Sequence, residues 1–430
     1  MNFSIKTAAL GLLLLGFAAC KKDFTNPNAA TQEETFASDR AATAVAAGLQ
    51  RQYTAGAASS LYALVNANGF VTNELILRNA GNIPELQLST GGPAVDATNS
   101  VLANVWTRSN KIIYDANNVI RFANTLGDRS YASGLISFAS IFKALSIGNM
   151  AMLWERIPDT TGANVNFISR VDGFRKAVTV LNSAIAVYNA ATPNGLVMSR
   201  LPAGINIPNT LQALKARYSL YAGDYATALA AANMVDLSVK SGFNFDALVL
   251  NPVFESATST NNVFQPVDST LGLPPSLAPD FADKRIPFYV GINTSIAPRY
   301  RINGFYATGT SQVPVYLPGE IMLIKAEAYA RQTPPDLANA LVELNRVITK
   351  QPSADPWGVG AGLMSVVLTT QAEILTEIYR QRSIELFMSG LKLEDMRRFN
   401  RPLTERRRNF FPYPFQERDN NTNTPNNPDF

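Results

Sequence analysis

The residue types in this chain restrict the chemistry that it can perform. The 430 residues contain no histidine and a single cysteine, Cys20. Ser-His-Asp and Cys-His nucleophilic systems, histidine general bases and His-ligated zinc or iron are therefore excluded. Carboxylate catalysis or an oxygen-ligated cation such as calcium could remain, but no pair of Asp or Glu residues stands in a distinctive arrangement. We therefore predict that the protein is not an enzyme, and we assign no catalytic residue, metal ligand or cofactor.

The single cysteine follows a segment that is typical of an export signal. One positive charge precedes a short apolar run, which ends at Gly16-Phe17-Ala18-Ala19-Cys20. This ending is similar to a bacterial lipobox, in which the cysteine thiol accepts diacylglycerol, although Phe17 stands where Leu is commoner. The alternative is an incidental cysteine at an ordinary cleavage site. Lys21 is not an inner-membrane retention signal of the Asp type, so the pattern favours outer-membrane sorting.

These features predict three parts of the chain. Residues 1–19 are a signal peptide that is removed, residues 20–30 are the lipidated N-terminus and a tether, and residues 31–430 form a single domain. Lipidation of Cys20 would attach the protein to a membrane. These residues do not indicate on which side of the outer membrane the protein lies. The net charge of +4 is small for this length, so nucleic-acid binding is not indicated. The basic run 405–408 is interpreted as a solvated turn, with contact to anionic lipid or glycan as the alternative.

Apolar periodicity predicts a mostly α-helical chain. The predicted helices are 101–124, 135–154, 170–191, 210–222, 225–238, 318–331, 336–350 and 370–389. Two long regions, 62–100 and 241–317, break this pattern, and loops of such length are usually functional. Residues 419–430 are rich in Asn and Pro, and by composition alone they would be disordered.

Residues 216–228 resemble the core of a tetratricopeptide helical hairpin. Small residues would let two antiparallel helices approach closely, with Gly223 and Asp224 in the turn and Tyr225 packed into the hairpin. A second such pattern starts at residue 326, and the helices predicted between 101 and 191 would bring the stack to about four pairs. The sequence therefore predicts a tetratricopeptide-like helical hairpin scaffold that carries long irregular ligand-binding loops.

Three blocks occur in a fixed order along the chain: the Cys20 lipobox with residues 24–28, residues 314–328 with 344–347 on the next helix, and residues 380–398. In this order they resemble the SusD-like (SusD/RagB) family of outer-membrane nutrient-binding lipoproteins. Residues 106–117, 154–158 and 427–430 are also similar to family segments, so the resemblance covers nearly the whole chain after the signal. The similarity at the terminus argues against disorder there.

The chain departs from the family pattern at four positions. Gln381 and Ser389 stand where acidic residues are usual, Lys392 replaces an Arg, and Leu393 replaces an aromatic residue. These departures weaken the expectation of the family's buried ion network near the terminus. We interpret the charged residues of this block as structural, with Arg382 bonded to Glu385 or to a helix end and with Asp395 bonded to Arg398. The alternative is that Glu385, Asp395, Arg397 and Arg398 form a ligand site.

The two long regions supply the candidate ligand residues. A sugar site needs flat aromatic rings for stacking and Asn, Asp, Glu or Arg for hydrogen bonds to hydroxyl groups. The candidates are Asn68, Phe70, Asn73, Glu74, Arg78, Tyr289, Tyr300, Arg301, Tyr306 and Trp357. Asn79, Arg285, Phe288, Asn293, Asn303 and Phe305 flank them. Ordinary loop packing is the alternative for each residue, and Trp357 is either an exposed platform or a hydrophobic plug.

The resemblance implies a protein that is lipid-anchored in the outer membrane and faces the cell exterior, where it captures a nutrient oligomer. The expected ligand is a glycan, and the expected partner is a SusC-like TonB-dependent outer-membrane barrel. One alternative keeps the fold and binds peptides for a peptide importer. Another is a tetratricopeptide scaffold lipoprotein that assembles envelope proteins. The enzyme alternative is a glycoside hydrolase.

Overall fold

The structure is a computed structural model that describes residues 36–430. The predictions for the signal peptide, Cys20 and the tether lie outside the described residues. Helices dominate the fold. They are α1 (Asp39–Thr54), α2 (Ser60–Val71), α3 (Ile83–Thr90), α4 (Ser100–Ala123), α5 (Arg129–Leu153), α6 (Arg170–Ala190), α7 (Gly195–Arg200), α8 (Ile207–Tyr221), α9 (Tyr225–Asn233), α10 (Arg285–Tyr289), α11 (Pro318–Arg331), α12 (Leu337–Thr349), α13 (Gln371–Glu385), α14 (Lys392–Arg398) and α15 (Phe415–Asn420).

Short polar side chains fix where several helices begin. A residue before the helix accepts a hydrogen bond from a backbone N–H of the first turn, which has no partner inside the helix. Asp128 caps α5 in this way through the N–H of Tyr131 at 2.9 Å. Thr370 caps α13, and Glu373 bonds back to the N–H of Thr370, which completes a capping box. The cap at Asp128 places the start of α5 six residues before the predicted start at 135.

The long helices pack as antiparallel neighbours along the chain, α4 on α5, α5 on α6, α6 on α8, α8 on α9, and α11 on α12. In the turn between α8 and α9, Gly223 adopts a φ of +78°, and Asp224 accepts a hydrogen bond from the N–H of Thr227 at 3.0 Å. This geometry confirms the predicted tetratricopeptide-like hairpins. One extended apolar cluster joins α1 to α14, and a smaller one lies between α11, α12 and α13.

Helix α5 lies at the centre of this core. Among residues 36–430 it is the one helix that is long and apolar enough to cross a membrane, and 94% of its most apolar window is buried inside the protein. An apolar helix that is covered on all sides is expected in the core of a large helical protein. We therefore assign α5 to the core.

Eight short strands form four antiparallel pairs in the described chain. The strands are β1 (Leu75–Leu77), β2 (Arg156–Pro158), β3 (Phe167–Ser169), β4 (Gly242–Phe243), β5 (Phe264–Pro266), β6 (Val290–Ile292), β7 (Tyr300–Ile302) and β8 (Val313–Pro314). The pairs are β1 with β5, β2 with β3, β4 with β8, and β6 with β7. Strand β1 comes from the first long region and β5 from the second, so the pairing joins the two regions.

The first long region is not a loop throughout, and the prediction for its start is wrong. Helix α2 covers Ser60–Val71, and all twelve of its residues are buried. A helix that is buried on every face shows no alternation of apolar and polar residues, so periodicity does not reveal it. One of its polar side chains bonds a distant part of the core: Asn68 Oδ1 accepts from the N–H of Leu393 at 3.0 Å.

The C-terminal residues are ordered, contrary to the prediction from composition. Asn421 is buried, and Asn427 Oδ1 accepts a hydrogen bond from the N–H of Tyr413 at 3.0 Å. Asn and Pro give this segment few apolar side chains, and hydrogen bonds to the backbone of the core hold it instead. The argument from the family terminus is confirmed here.

Candidate functional site

The two long regions meet at the surface where β1, β5 and β7 come together. Gln265 Oε1, in β5, accepts a hydrogen bond from the N–H of Ile302 at 2.9 Å. The N–H of Arg78, just after β1, donates to the carbonyl of Val263 at 2.8 Å. The β6–β7 hairpin is thereby held beside the β1 segment.

We call the exposed and half-buried side chains at this junction the hairpin face. They are Ile76, Arg78, Asn79, Ile292, Asn293, Ile296, Arg299, Tyr300 and Arg301. Arg78 Nη2 donates to the carbonyl of Ala297 at 3.1 Å, across the two regions. Arg301 Nη2 donates to the carbonyl of Ile296 at 3.2 Å, whereas Arg301 Nη1 has no hydrogen-bond partner in residues 36–430. The face therefore combines guanidinium donors, amides, one tyrosine ring and aliphatic side chains.

Three of the ten predicted ligand residues, Arg78, Tyr300 and Arg301, lie on the hairpin face. Asn73 is half-buried, and its amide is occupied: Nδ2 donates to the carbonyl of Glu405, and Oδ1 accepts from Arg407 Nε, both at 2.9 Å. The other six are buried, namely Asn68, Phe70, Glu74, Tyr289, Tyr306 and Trp357. The structure thus separates the candidates into an exposed group and a buried group.

The buried candidates hold the hairpin in place. Tyr289 precedes β6, and its hydroxyl donates to the carbonyl of Glu385. Tyr306 follows β7, and its hydroxyl donates to the carbonyl of Met388 at 3.0 Å. Burial raises the pKa of both hydroxyls well above the usual tyrosine range, so they remain donors. Both ends of the hairpin are therefore attached to the turn after α13.

The sequence allows Trp357 to be either an exposed platform or a hydrophobic plug, and its burial in the structure favours the plug. Its side chain is 9% exposed and packs edge-on against Phe305, with ring centroids 5.8 Å apart. Lys240 Nζ lies 5.0 Å from the centroid of the indole ring. Gly242 leaves room for the indole, because a Cβ there would lie 2.6 Å from the Trp357 ring. This ring therefore supports β4 and the loop at Phe305.

A cluster of buried charges lies beneath the loops. Arg285 Nη2 contacts Asp283 Oδ2 at 2.7 Å and Arg285 Nη1 contacts Glu385 Oε2 at 3.0 Å, with both partners fully buried. Lys350 Nζ lies 2.6 Å from Glu385 Oε1 and 2.6 Å from Asp355 Oδ2. Burial raises the pKa of Asp355 despite the nearby Lys350 ammonium. This arrangement ties α10 and α13 to the segment after α12.

A second charged cluster joins α11, α13 and α14. Asp395 accepts from Arg382 Nε at 2.9 Å and from Arg398 Nη1 at 2.8 Å. Arg398 Nη2 reaches Glu327 Oε2 at 2.7 Å. Burial raises the pKa of Glu327, but Arg398 and Arg331 outweigh it, and the net shift is downward. The predicted Asp395–Arg398 bond is confirmed, and Arg382 pairs with Asp395 rather than with Glu385.

A buried ion network is present near the C-terminus although the departures from the family pattern weakened the expectation of one. Gln381 stands where an acidic residue is usual, yet its Oε1 accepts from Arg285 Nη2 at 2.5 Å and its Nε2 donates to Glu377 Oε1 at 2.7 Å. Lys392, in place of an Arg, donates to the carbonyl of Leu271 at 2.9 Å. An amide can replace a carboxylate here because the guanidinium already has two other carboxylate partners.

The basic run 405–408 is not a solvated turn. Arg408 is 4% exposed, and its Nε donates to the carbonyl of Phe410 at 2.8 Å. Arg408 Nη1 donates to the carbonyl of Gly92, and Arg407 Nη1 donates to the carbonyl of Ser89. Guanidinium groups offer several donors in fixed directions, and here they satisfy backbone carbonyls of the first long region.

An interior cavity of about 60 Å³ lies between Tyr53, Asn149, Arg217, Tyr306 and Glu320. Arg217 and Glu320 form a buried two-point ion pair there, at 2.6 and 2.7 Å. Small-molecule sites generally span about 300–1,000 Å³, and a cavity of this size holds a few waters. A sugar cannot enter it, so the candidate site is the hairpin face at the surface.

Three exposed apolar side chains were not predicted from the sequence. Phe281 is 96% exposed, Met364 is 89% exposed and Val367 is 85% exposed. The N–H of Lys284 donates to the carbonyl of Ala361 at 3.1 Å, which joins the loop of Phe281 to the loop of Met364 and Val367. We call these three residues the apolar rim. The sequence gives no signal for them, because an apolar residue between polar ones is as consistent with a buried position as with an exposed one.

No group of three or more Asp, Glu, His or Cys residues suited to a metal ion occurs in residues 36–430. Comparison of the sequence with models of protein families and with curated proteins finds no match. Solved structures do match, at low sequence identity.

A SusD superfamily protein from Bacteroides fragilis aligns with 90% of this chain and 99% of its own, with a TM-score of 0.67 at 15% identity. A SusD superfamily protein from Parabacteroides distasonis aligns with 94% of this chain and 100% of its own, also with a TM-score of 0.67 at 15% identity. A SusD-like carbohydrate-binding protein from Bacteroides fragilis aligns with 85% of this chain and 87% of its own, with a TM-score of 0.66 at 16% identity. The protein therefore has the fold of the SusD superfamily, as the order of its sequence blocks implies.

Proposed function

We propose that this chain belongs to the SusD-like family and captures a glycan oligomer at the cell surface for delivery to a SusC-like TonB-dependent outer-membrane transporter. The observation that carries the proposal is the fold, which matches SusD superfamily structures over 90–94% of this chain. One structure of this fold is that of a SusD-like carbohydrate-binding protein. Lipidation at Cys20 would anchor the protein in the outer membrane, facing the exterior.

The hairpin face has the groups that a glycan needs. Arg78 and Arg301 present guanidinium donors to hydroxyl groups, and Asn79 and Asn293 present amides that both donate and accept. Tyr300 offers a ring to the C–H face of a sugar, although Arg299 lies over one side at 5.2 Å from its centroid.

Capture requires no catalysis in this proposal. The chain supplies affinity and retention, and the barrel with its energy-coupling complex moves the cargo. The apolar rim of Phe281, Met364 and Val367 is the surface that we assign to contact with the barrel, since exposed apolar groups mark protein interaction sites. The helical scaffold places this rim on the loops that flank α13.

The binding role is tested with the purified protein on a panel of oligosaccharides, followed by calorimetry on each binder. We expect Arg78→Ala and Arg301→Ala each to weaken binding about tenfold or more. Arg129→Ala is the matched control, because Arg129 is also an exposed arginine with one bond to a backbone carbonyl. If peptides bind and glycans do not, the glycan assignment is overturned in favour of a peptide importer. Sugar products released from a bound glycan would show a glycoside hydrolase instead.

The delivery role is tested by a mild-detergent pull-down of the lipidated protein from its native membrane, with partners identified by mass spectrometry. We expect a large TonB-dependent barrel in near-equal amount. If no barrel is recovered even after gentle cross-linking, and another envelope protein is recovered in its place, the protein is a scaffold and the delivery role is refuted.

A further inference from the structure

A second pocket lies on the helical scaffold, apart from the hairpin face. It has a volume of about 270 Å³ and lies between α4, α5, α6 and the turn after β2. Its apolar floor consists of Ile113, Ile147, Met150 and Pro158. Its polar rim consists of Asn110, Asn117, Lys143, Asp159, Thr160, Thr161 and Lys176. An apolar floor with a few converging polar groups is the usual form of a small-ligand site.

The charges in this pocket do not balance. Lys176 Nζ pairs with Asp159 Oδ1 at 2.8 Å, which satisfies the one carboxylate of the lining. Lys143 projects from the apolar helix α5 and has no hydrogen bond or ion pair within residues 36–430. Burial, and then the charge of Lys176, lower the pKa of Lys143, and no carboxylate offsets them. One ammonium in the pocket is therefore uncompensated.

The helices around the pocket supply no spare carboxylate for this lysine, and Glu155, between α5 and β2, is exposed and lies outside the pocket lining. Helix α5 contains no acidic residue. The one acid of α4, Asp115, pairs with Lys111 at 2.5 Å, and the one acid of α6, Asp172, pairs with Arg175 at 2.8 Å. A partly desolvated charge without a partner costs free energy, and a perturbed titratable group in a cleft is a candidate for ligand binding.

We propose that this pocket binds a small ligand that carries a single carboxylate, through an ion pair with Lys143. One carboxylate neutralises the one surplus positive charge, whereas a phosphate dianion would leave a buried negative charge. Asn117, Thr160 and Thr161 make no side-chain hydrogen bond in residues 36–430, so their donors are available to the carboxylate. The apolar floor covers the carbon skeleton of the ligand. None of these residues belongs to the hairpin face, so this site is independent of the proposed glycan site.

Calorimetry at low ionic strength tests this assignment with four probes: glucuronate, N-acetylglycine, glucose and inorganic phosphate. We expect glucuronate, N-acetylglycine or both to bind, and glucose not to bind. Lys143→Met should weaken carboxylate binding about tenfold or more, because the ion pair is lost. Lys215→Met is the matched control, since Lys215 is a half-buried lysine on α8 outside the pocket. Binding of glucuronate alone identifies a sugar acid as the ligand class, and binding of N-acetylglycine alone identifies a peptide carboxylate.

The variant should fold, because Lys143→Met removes an unpaired charge from a desolvated position. A second measurement uses the wild-type protein: acetylation of each lysine by an activated ester, read by mass spectrometry with and without the bound carboxylate. We expect protection at Lys143 and none at Lys215. The proposal is overturned if neither carboxylate binds, if phosphate binds more tightly than both, or if Lys143→Met binds as well as wild type. Failure here leaves the results for Arg78 and Arg301 untouched, so the two sites are judged separately.

Discussion

At the scale of single residues, charges that water does not reach hold the loops to the helices. Arg285, Asp283 and Glu385 are fully buried, and each is tied to the others or to Lys350. A buried ion pair gains little over an apolar pair of the same shape, but removal of one partner leaves the other charged and unpaired. The consequence of such a removal is therefore large and can be measured.

Arg285→Ala should destabilise the fold by about 3–5 kcal/mol, because Asp283 loses the one cation that it pairs with in residues 36–430 and Glu385 keeps Lys350. The measurement is the free energy of unfolding from denaturant titration. Arg175→Ala is the control, since the Arg175–Asp172 pair is exposed and its loss should be undetectable. A loss below about 1 kcal/mol for Arg285→Ala would show that the cluster relaxes by admitting water.

Glu74 should make stability depend on pH near neutrality. Burial raises its pKa from 4.5 to about 7, although Lys392 acts in the opposite direction. The folded protein therefore keeps a proton that the unfolded chain releases between these values. The contribution of Glu74 to stability falls as the pH rises from 4.5 to about 7, by at most about 3 kcal/mol.

Glu74→Gln removes this titration, so the stability of the variant relative to wild type should rise across the same pH range. Thermal unfolding of both proteins at a series of pH values gives the difference. Parallel curves from pH 4.5 to pH 7 would mean that Glu74 is ionised throughout.

At the scale of elements, two helices approach so closely that a methyl group cannot fit between them. A Cβ on Gly148, in α5, would overlap the ring of Tyr218 in α8, whereas a Cβ on Gly48, in α1, would meet nothing within 4 Å. Both glycines lie inside helices. Gly148→Ala should therefore cost about 1–3 kcal/mol through overpacking.

Gly48→Ala should stabilise by about 0.5–1 kcal/mol, because alanine loses less backbone entropy in a helix. The two variants form a matched pair, and denaturant titration of each gives the comparison. If Gly148→Ala is as stable as Gly48→Ala, the α5–α8 contact is not rigid, and the close approach does not define the hairpin stack.

The same elements show how far the sequence predicts the fold. The helices with one apolar face, such as α4 and α12, were predicted within a residue of their observed bounds. Helix α2 was missed, since Asn66, Asn68 and Gly69 read as turn residues. A local sequence pattern does not reveal a partner that is distant in the chain. Asn68, for example, bonds the backbone N–H of Leu393, 325 residues away.

The exposure of the candidate ligand residues was predicted only in part, for the same physical reason. Arg78, Tyr300 and Arg301 lie at the surface, where packing in the core does not constrain which polar or aromatic side chain is present. Asn68, Glu74 and Tyr289 are the same types of residue but lie in the core. Residue type alone does not distinguish a polar group that faces a ligand from one that bonds a buried backbone carbonyl.

At the scale of the whole molecule, the proposed function would require three separate surfaces: a glycan face, a docking surface and a membrane tether. The hairpin face mixes aliphatic side chains with three arginines, whereas the apolar rim has no charged side chain among its three residues. Rings and aliphatic groups that are excluded from water form the centre of protein interfaces, and charges are depleted there. We therefore expect the rim, rather than the hairpin face, to carry the contact with a barrel.

Phe281→Glu combined with Met364→Glu should abolish recovery of the barrel in a detergent pull-down, because two carboxylates would be buried without partners at the interface. Leu248→Glu is the control, since Leu248 is 92% exposed on a separate turn, where Asp246 Oδ1 accepts from its N–H at 2.8 Å. Glycan affinity and the unfolding temperature should be unchanged in all variants, because these side chains make little contact with the core. Retained recovery with the double variant would place the docking surface elsewhere on the scaffold, and equal loss with Leu248→Glu would show a nonspecific effect of added charge.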